Sequence, residues 1–278
     1  MKSLVGRSST DSDKSRSKKS TFADSKPPPS DASRLMAIAK EFLRSKNYAD
    51  AEDSLRTILE ENPRDKYAIS LLIKVLSKAD RIDDAEQVFQ GALELGATDT
   101  FVFGSMIDSF IRRSDVPRAM DAFERAKEHG AADAHIHNSM IVFFRKQGNV
   151  KAARDVFDHA VESALADEYI YTTMVDVYGK AGLIDKAEEI FNSSTELFGP
   201  NKYVHTCMIG AYGRAGQIQK ALSLFAQALE HGFADKFIFT SMITVCKKLG
   251  MPDEAKRLYE QANTLGLCDS IMGHILTS

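Results

Sequence analysis

Apolar side chains along this chain keep one helical spacing, break, and resume it. Between residues 171 and 191, Met174, Val175 and Tyr178 form an i, i+1, i+4 stripe; after Gly182 a second stripe runs through Ile184, Ala187 and Phe191. Both fit the 3.6-residue period of an amphipathic helix, and neither alternates as a half-buried strand would. The couple returns 34 residues on, where "YTTMVDVYGKAGLIDKAEEIF" (171–191) is followed by "HTCMIGAYGRAGQIQKALSLF" (205–225). A period of this length marks a repeat architecture.

Units that begin at residues 32, 66, 100, 134, 168, 202 and 236 align without an insertion, and a partial eighth starts at Ser270. Position 20 is always alanine (Ala51, Ala85, Ala119, Ala153, Ala187, Ala221, Ala255). Position 24 is always large and apolar (Leu55, Phe89, Phe123, Phe157, Phe191, Phe225, Tyr259). Helix A of each unit spans the first stripe, a glycine such as Gly148, Gly182, Gly216 or Gly250 makes the turn at position 15, and helix B follows to a second glycine such as Gly96, Gly130, Gly232 or Gly266. A helix pair of this kind buries its apolar face only against the next pair. The expected fold is all-α: a right-handed α-solenoid of antiparallel helix pairs in 34-residue repeats, seven full and one partial, over residues 32–278.

Composition adds a boundary. Residues 1–31 are rich in Ser, Lys and Arg and end in Pro27, Pro28 and Pro29, so they cannot bury enough surface to fold. Two readings stay open for this stretch: a disordered basic tail, or an organelle transit peptide, which its aspartates disfavour. The net charge of −3 hides a basic tail on an acidic array. Cys207, Cys246 and Cys268 have neither metal-site nor disulfide-framework spacing, which points to a reducing compartment. No apolar run reaches the roughly 18 residues of a membrane span. The chain stops nine residues into unit eight, at "SIMGHILTS", as a fragment of a longer array would.

Two residue types recur without a packing reason. Position 13 carries Arg44, Lys78, Arg112, Lys146, Lys180, Arg214 and Lys248, one cation per unit at the expected carboxyl end of helix A. A helix dipole welcomes a cation there, and a ladder of seven also suits a polyanion. The last position carries Asp65, Asp99, Asp133, Asp167, Asn201, Asp235 and Asp269, the residue types preferred at a helix N-cap. Position 5 reads Met36, Ser70, Gly104, Asn138, Thr172, Thr206, Thr240 and His274, mostly short polar groups that helix interiors do not prefer. Position 2 reads Tyr67, Phe101, His135, Tyr169, Tyr203 and Phe237, rings that either pack between A helices or stack on bases. His135 and His137 are two apart and point to different sides of a helix, so no metal pair is expected. Catalytic constellations, phosphate loops and cofactor motifs are not evident, and a non-enzymatic protein without cofactor is expected.

Units two to seven place Ile73, Ile107, Ile141, Val175, Ile209 and Ile243 at position 8, where tetratricopeptide repeats favour a small residue. The segment "YTTMVDVYGKAGLIDKAEEIF" is similar to the pentatricopeptide-repeat consensus fragment "YNTLIDGLCKAGRLDEALELF", and residues 66–278 resemble a P-class-like array of that family. The first unit, with Ala39 at position 8 and Pro63 at position 32, is more like a tetratricopeptide repeat. The resemblance implies sequence-selective binding of single-stranded RNA in a chloroplast or mitochondrion, for RNA processing, stability or translation. It implies that positions 5 and last of each unit read one base, that position 2 flanks the bases, usually as an aliphatic residue, and that cations hold phosphates. It further implies a purine at Ser or Thr, a pyrimidine at Asn, G or U at a final Asp, and A or C at a final Asn. Ser70 with Asp99, Thr206 with Asp235 and Thr240 with Asp269 then suggest G, Asn138 with Asp167 suggests U, and Thr172 with Asn201 suggests A. Gly104 with Asp133 is uninformative, and the implied core is 5′-G-N-U-A-G-G-3′ bound by a monomer. The alternative is a protein-interaction scaffold of tetratricopeptide type, which the acidic array favours, since nonspecific RNA affinity is largely electrostatic.

Overall fold

The computed structural model describes residues 31–277; the basic tail expected at 1–31 lies almost wholly outside them. Among the described residues there are fifteen helices and no strand. The A helices are α1 (Asp31–Arg44), α3 (Lys66–Lys78), α5 (Thr100–Arg112), α7 (Ala134–Gln147), α9 (Glu168–Lys180), α11 (Lys202–Arg214), α13 (Lys236–Lys248) and α15 (Ser270–Thr277). The B helices are α2 (Tyr48–Glu61), α4 (Ile82–Glu94), α6 (Val116–Glu128), α8 (Val150–Glu162), α10 (Ile184–Phe198), α12 (Ile218–Glu230) and α14 (Pro252–Thr264).

Each A helix packs on the B helix of its own unit, and from α3 onward consecutive A helices lie side by side. Among the described residues successive B helices make no comparably close contact, as in an array that bends with its A helices on the inner side. The core is the repeat itself. All seven alanines at position 20 are fully buried, which lets the two helices of a unit approach, and Phe123 and Phe225 fill the groove beside them. At position 15 the chain turns in the left-handed region, at Gly148, Gly182, Gly216 and Gly250 but also at Lys46, Asp80 and Ser114. The A helices approach most tightly at Gly179 and Gly213. A Cβ on Gly179 would stand 2.6 Å from that of Ala211, and one on Gly213 would overlap Val245. Unit five departs from the pattern: Phe198 replaces the second glycine, α10 runs on to it, and the chain turns at Gly199 instead.

Candidate nucleic-acid interface

The inner face is built from the first turns of the A helices. The last residue of each unit caps the next A helix with one oxygen. Asp65 accepts from Ala68 N at 2.9 Å, Asp133 from Ile136 N at 2.9 Å, Asp167 from Ile170 N at 2.9 Å and Asp269 from Met272 N at 3.0 Å. Asp99, Asn201 and Asp235 each accept from two backbone amides, those of Phe101 and Val102, Tyr203 and Val204, and Phe237 and Ile238. Capping occupies Oδ1 only. The other oxygen of Asp235 meets Lys202 Nζ at 3.2 Å, and Asn201 Nδ2 is buried without an acceptor.

Position 5 lies on the same face, one turn into each A helix. Ser70 donates to Tyr67 O at 2.9 Å, and Thr206 and Thr240 donate to Lys202 O and Lys236 O at 2.6 Å, so their remaining lone pairs are free to accept. Thr172 Oγ1 is buried with no partner at all. Asn138 accepts from Thr173 Oγ1 at 2.8 Å through its amide oxygen, which fixes the side chain and leaves its NH2 to donate elsewhere. Gly104 offers no side chain.

The rings at position 2 do not pack between A helices. Tyr67, Phe101, Tyr169, Tyr203 and Phe237 are 49 to 72% exposed, and His135 is exposed with them. Clefts open between successive rings. One of about 280 Å³ lies between Tyr169 and Tyr203, with Thr172 and Asp167 in its lining. The next, about 310 Å³, lies between Tyr203 and Phe237 and is lined by Thr206, Cys207, Lys202 and Asp235. Burial and the nearby Asp176 carboxylate push the Cys207 thiol up to about 11, so it stays a protonated, unreactive wall at neutral pH.

The cations at position 13 do not form the uniform ladder expected of them. Lys78, Lys146 and Lys248 are exposed, and no carboxylate among the described residues pairs with them. Arg44 pairs with Glu41 at 3.4 Å, and Arg112 donates to Ser77 Oγ at 3.0 Å. In the middle of the array Asp176 gathers three cations: Lys180 at 2.8 Å, Arg214 at 4.0 Å, and Arg145. Asp108, at the same register in α5, lies near Lys74, Arg112 and His135, and burial pushes its carboxyl above the usual range.

Four contributors escaped the sequence reading. Arg145 shares its register in the A helices with one other cation, Lys247, so recurrence did not single it out. Lys40, Lys202 and Lys236 sit with Nζ 4.8, 5.1 and 5.1 Å from the ring centres of Tyr67, Tyr203 and Phe237, favourable cation–π placements at the groove edge. Lysine one residue before an aromatic was the legible signal for the last two. Among the described residues no three His, Cys, Asp or Glu side chains are placed to hold a metal, and no helix is long and apolar enough to cross a membrane.

Comparison with known proteins places this geometry. The pentatricopeptide-repeat family model matches residues 101–130, 169–196, 203–233 and 237–267, and a tetratricopeptide-repeat model matches 42–100. The tetratricopeptide-like region therefore takes in the second unit as well as the first, one unit further than position 8 suggests, and the fourth unit is matched by neither. A comparison with curated proteins finds no match. The fold is similar to that of the pentatricopeptide repeat protein PPR10 from maize, with TM-score 0.68 and 18% identity over 88% of this chain and 35% of that one. PPR10 in complex with an 18-nt psaJ RNA element gives 0.63 at the same identity, over 88% of this chain and 36% of that one. A tetratricopeptide repeat protein from Parabacteroides merdae gives 0.52 at 12% identity, over 88% of this chain and 97% of that one. The chain thus spans about a third of the length of PPR10. The chain carries four pentatricopeptide repeats, preceded by a tetratricopeptide-like region at its start.

Proposed function

We propose that the chain binds single-stranded RNA along its inner face, one base per unit, and acts on an organellar transcript by occupying it. The observation that carries this reading is the row of exposed rings, with largely apolar clefts between Tyr169, Tyr203 and Phe237 that Thr172 and Thr206 help to line. Flat apolar walls suit the faces of unstacked bases, and stacking of this kind contributes roughly 1 to 3 kcal/mol per base. Short polar groups beside the rings suit Watson–Crick edges.

Unit five supports the reading most closely. Its fifth and last residues, Thr172 and Asn201, each hold a buried polar atom without a partner. An unsatisfied buried donor or acceptor costs about 1 to 3 kcal/mol, which a bound edge would recover. The free oxygen of Asp235 is instead engaged by Lys202, so unit six reads its base in competition with a lysine. The likeness to PPR10, a protein described with a bound RNA element, is in keeping with this function.

Selection of RNA from random pools by the purified chain tests the proposal. We expect enrichment of 5′-G-N-U-A-G-G-3′, read from Ser70, Gly104, Asn138, Thr172, Thr206 and Thr240 with their last-position partners. Pools that return no common sequence, from a folded chain, contradict base reading. The tetratricopeptide match over 42–100 would then favour a protein-docking scaffold.

A further inference from the structure

Along the inner face of α9, Thr172, Asp176 and Lys180 follow one another at successive turns. The residues level with Asp176 on the neighbouring A helices are Val142 and Gly210, which carry no charge. Within units four to six Asp176 is consequently the one acid at this level, and it pairs with cations from all three. Lys180 comes from its own helix, Arg145 from α7 and Arg214 from α11. The Asp176 side chain is only 16% exposed, whereas Arg145, Lys180 and Arg214 are 25, 51 and 40% exposed. Arg214 is further fixed by donation from Nε to Gly179 O at 3.1 Å. Three positive groups are therefore held around one anion on the groove floor, one turn below the base-facing threonine, with a surplus of two positive charges.

We propose that Arg145, Lys180 and Arg214 form a phosphodiester-binding site of the RNA backbone, and that the Asp176 carboxylate is its internal competitor. The inference rests on the RNA-binding reading above and adds a residue, Arg145, and a control, Asp176, to it. Without RNA the carboxylate keeps the cations gathered and oriented toward one point. With RNA the phosphate shares them, and the like charge of Asp176 limits how strongly. Phosphate contacts carry no sequence information, so the effect falls equally on all single strands.

The test measures binding of the full chain to a GNUAGG-containing RNA and to a scrambled RNA across a salt series. Asp176→Asn removes one negative charge at roughly 5 Å from the phosphate, and should tighten both RNAs about fivefold at low salt. The log–log salt slope should steepen by about 0.7, as for one more phosphate neutralised on a single strand. Gly210→Asp should do the opposite, weakening both RNAs and flattening the slope. That position has room, since a Cβ there meets only the end of Arg214, at 3.5 Å. Arg145→Gln should also weaken both RNAs alike. If the wild type prefers the GNUAGG RNA but Asp176→Asn leaves affinity and slope unchanged, or weakens binding, the competitor role is overturned while the base-reading proposal stands. If Asp176→Asn does not fold, Gly210→Asp decides alone, and unchanged binding overturns the inference. A folded wild type that binds neither RNA overturns the RNA-binding reading and this inference with it.

Discussion

Asn201 does two things with one amide. Its oxygen caps α11 through the backbone amides of Tyr203 and Val204 at 2.8 and 3.0 Å, and its nitrogen is buried without an acceptor. Capping explains why the last position is always Asp or Asn, yet capping alone does not tell the two apart. The second group does, as a donor in Asn201 and an acceptor in every aspartate of the series. The carbonyl of the last-position residue has a further partner in two units. His137 donates from Nδ1 to Asp133 O at 2.7 Å and accepts at Nε2 from His159 Nδ1 at 2.8 Å; His205 donates to Asn201 O at 2.8 Å. Burial pushes both imidazoles below their ordinary value. Between the folded and unfolded values the unfolded chain binds more protons, so stability is highest above the unfolded value, about 6.5, and falls as pH drops below it. The denaturant midpoint of the chain should therefore decrease on acidification through that range. Replacement of both histidines by phenylalanine, the residue at the same register in Phe103 and Phe239, should flatten the dependence over that window. Equal slopes for wild type and variant would contradict it.

Within the helix pair, most of the architecture was written in the residue pattern, because a core that repeats must repeat its side chains. The alanines at position 20, the aromatics at 24 and the glycine turns at 15 all stand where the period placed them. Lys46, Asp80, Ser114 and Ala164 show the limit of that legibility. They adopt the left-handed conformation without being glycine, at about 1 to 2 kcal/mol each, because packing on both sides of the turn imposes it. The exposure of the position-2 rings was not legible, since an aromatic at that register suits either a packed or an open site. Nor was the Asp176 cluster, which depends on side chains of three helices meeting in space. Ser194 is another break in the pattern. It is fully buried at the register of Ala126, Ala160 and Ala228, and its hydroxyl has no partner. Ser194→Ala should raise the unfolding free energy by about 1 kcal/mol or more, measured from the denaturant midpoint. A fall would mean that the hydroxyl is satisfied by a group such as a buried water.

At the scale of the described array, consecutive A helices pack more closely than consecutive B helices, and the curvature this favours turns one row of residues per unit inward. Rings, short polar groups and cations each occupy their own level across that face, from the helix amino ends to the carboxyl ends. On the proposed reading base recognition is separate from backbone holding: changes at positions 5 and last should alter which RNA is bound, and changes around Asp176 should alter how tightly any RNA is bound. Modularity is the central claim, and a single substitution in unit five tests it most directly. Asn201→Asp keeps the capping oxygen and exchanges the buried donor for an acceptor, so the fold is retained. RNA selection with wild type and variant should show the fourth base of G-N-U-A-G-G move from A toward G, with the other five positions unchanged. An unchanged base at that position, or a change spread over the whole sequence, would contradict the reading of one base by one unit.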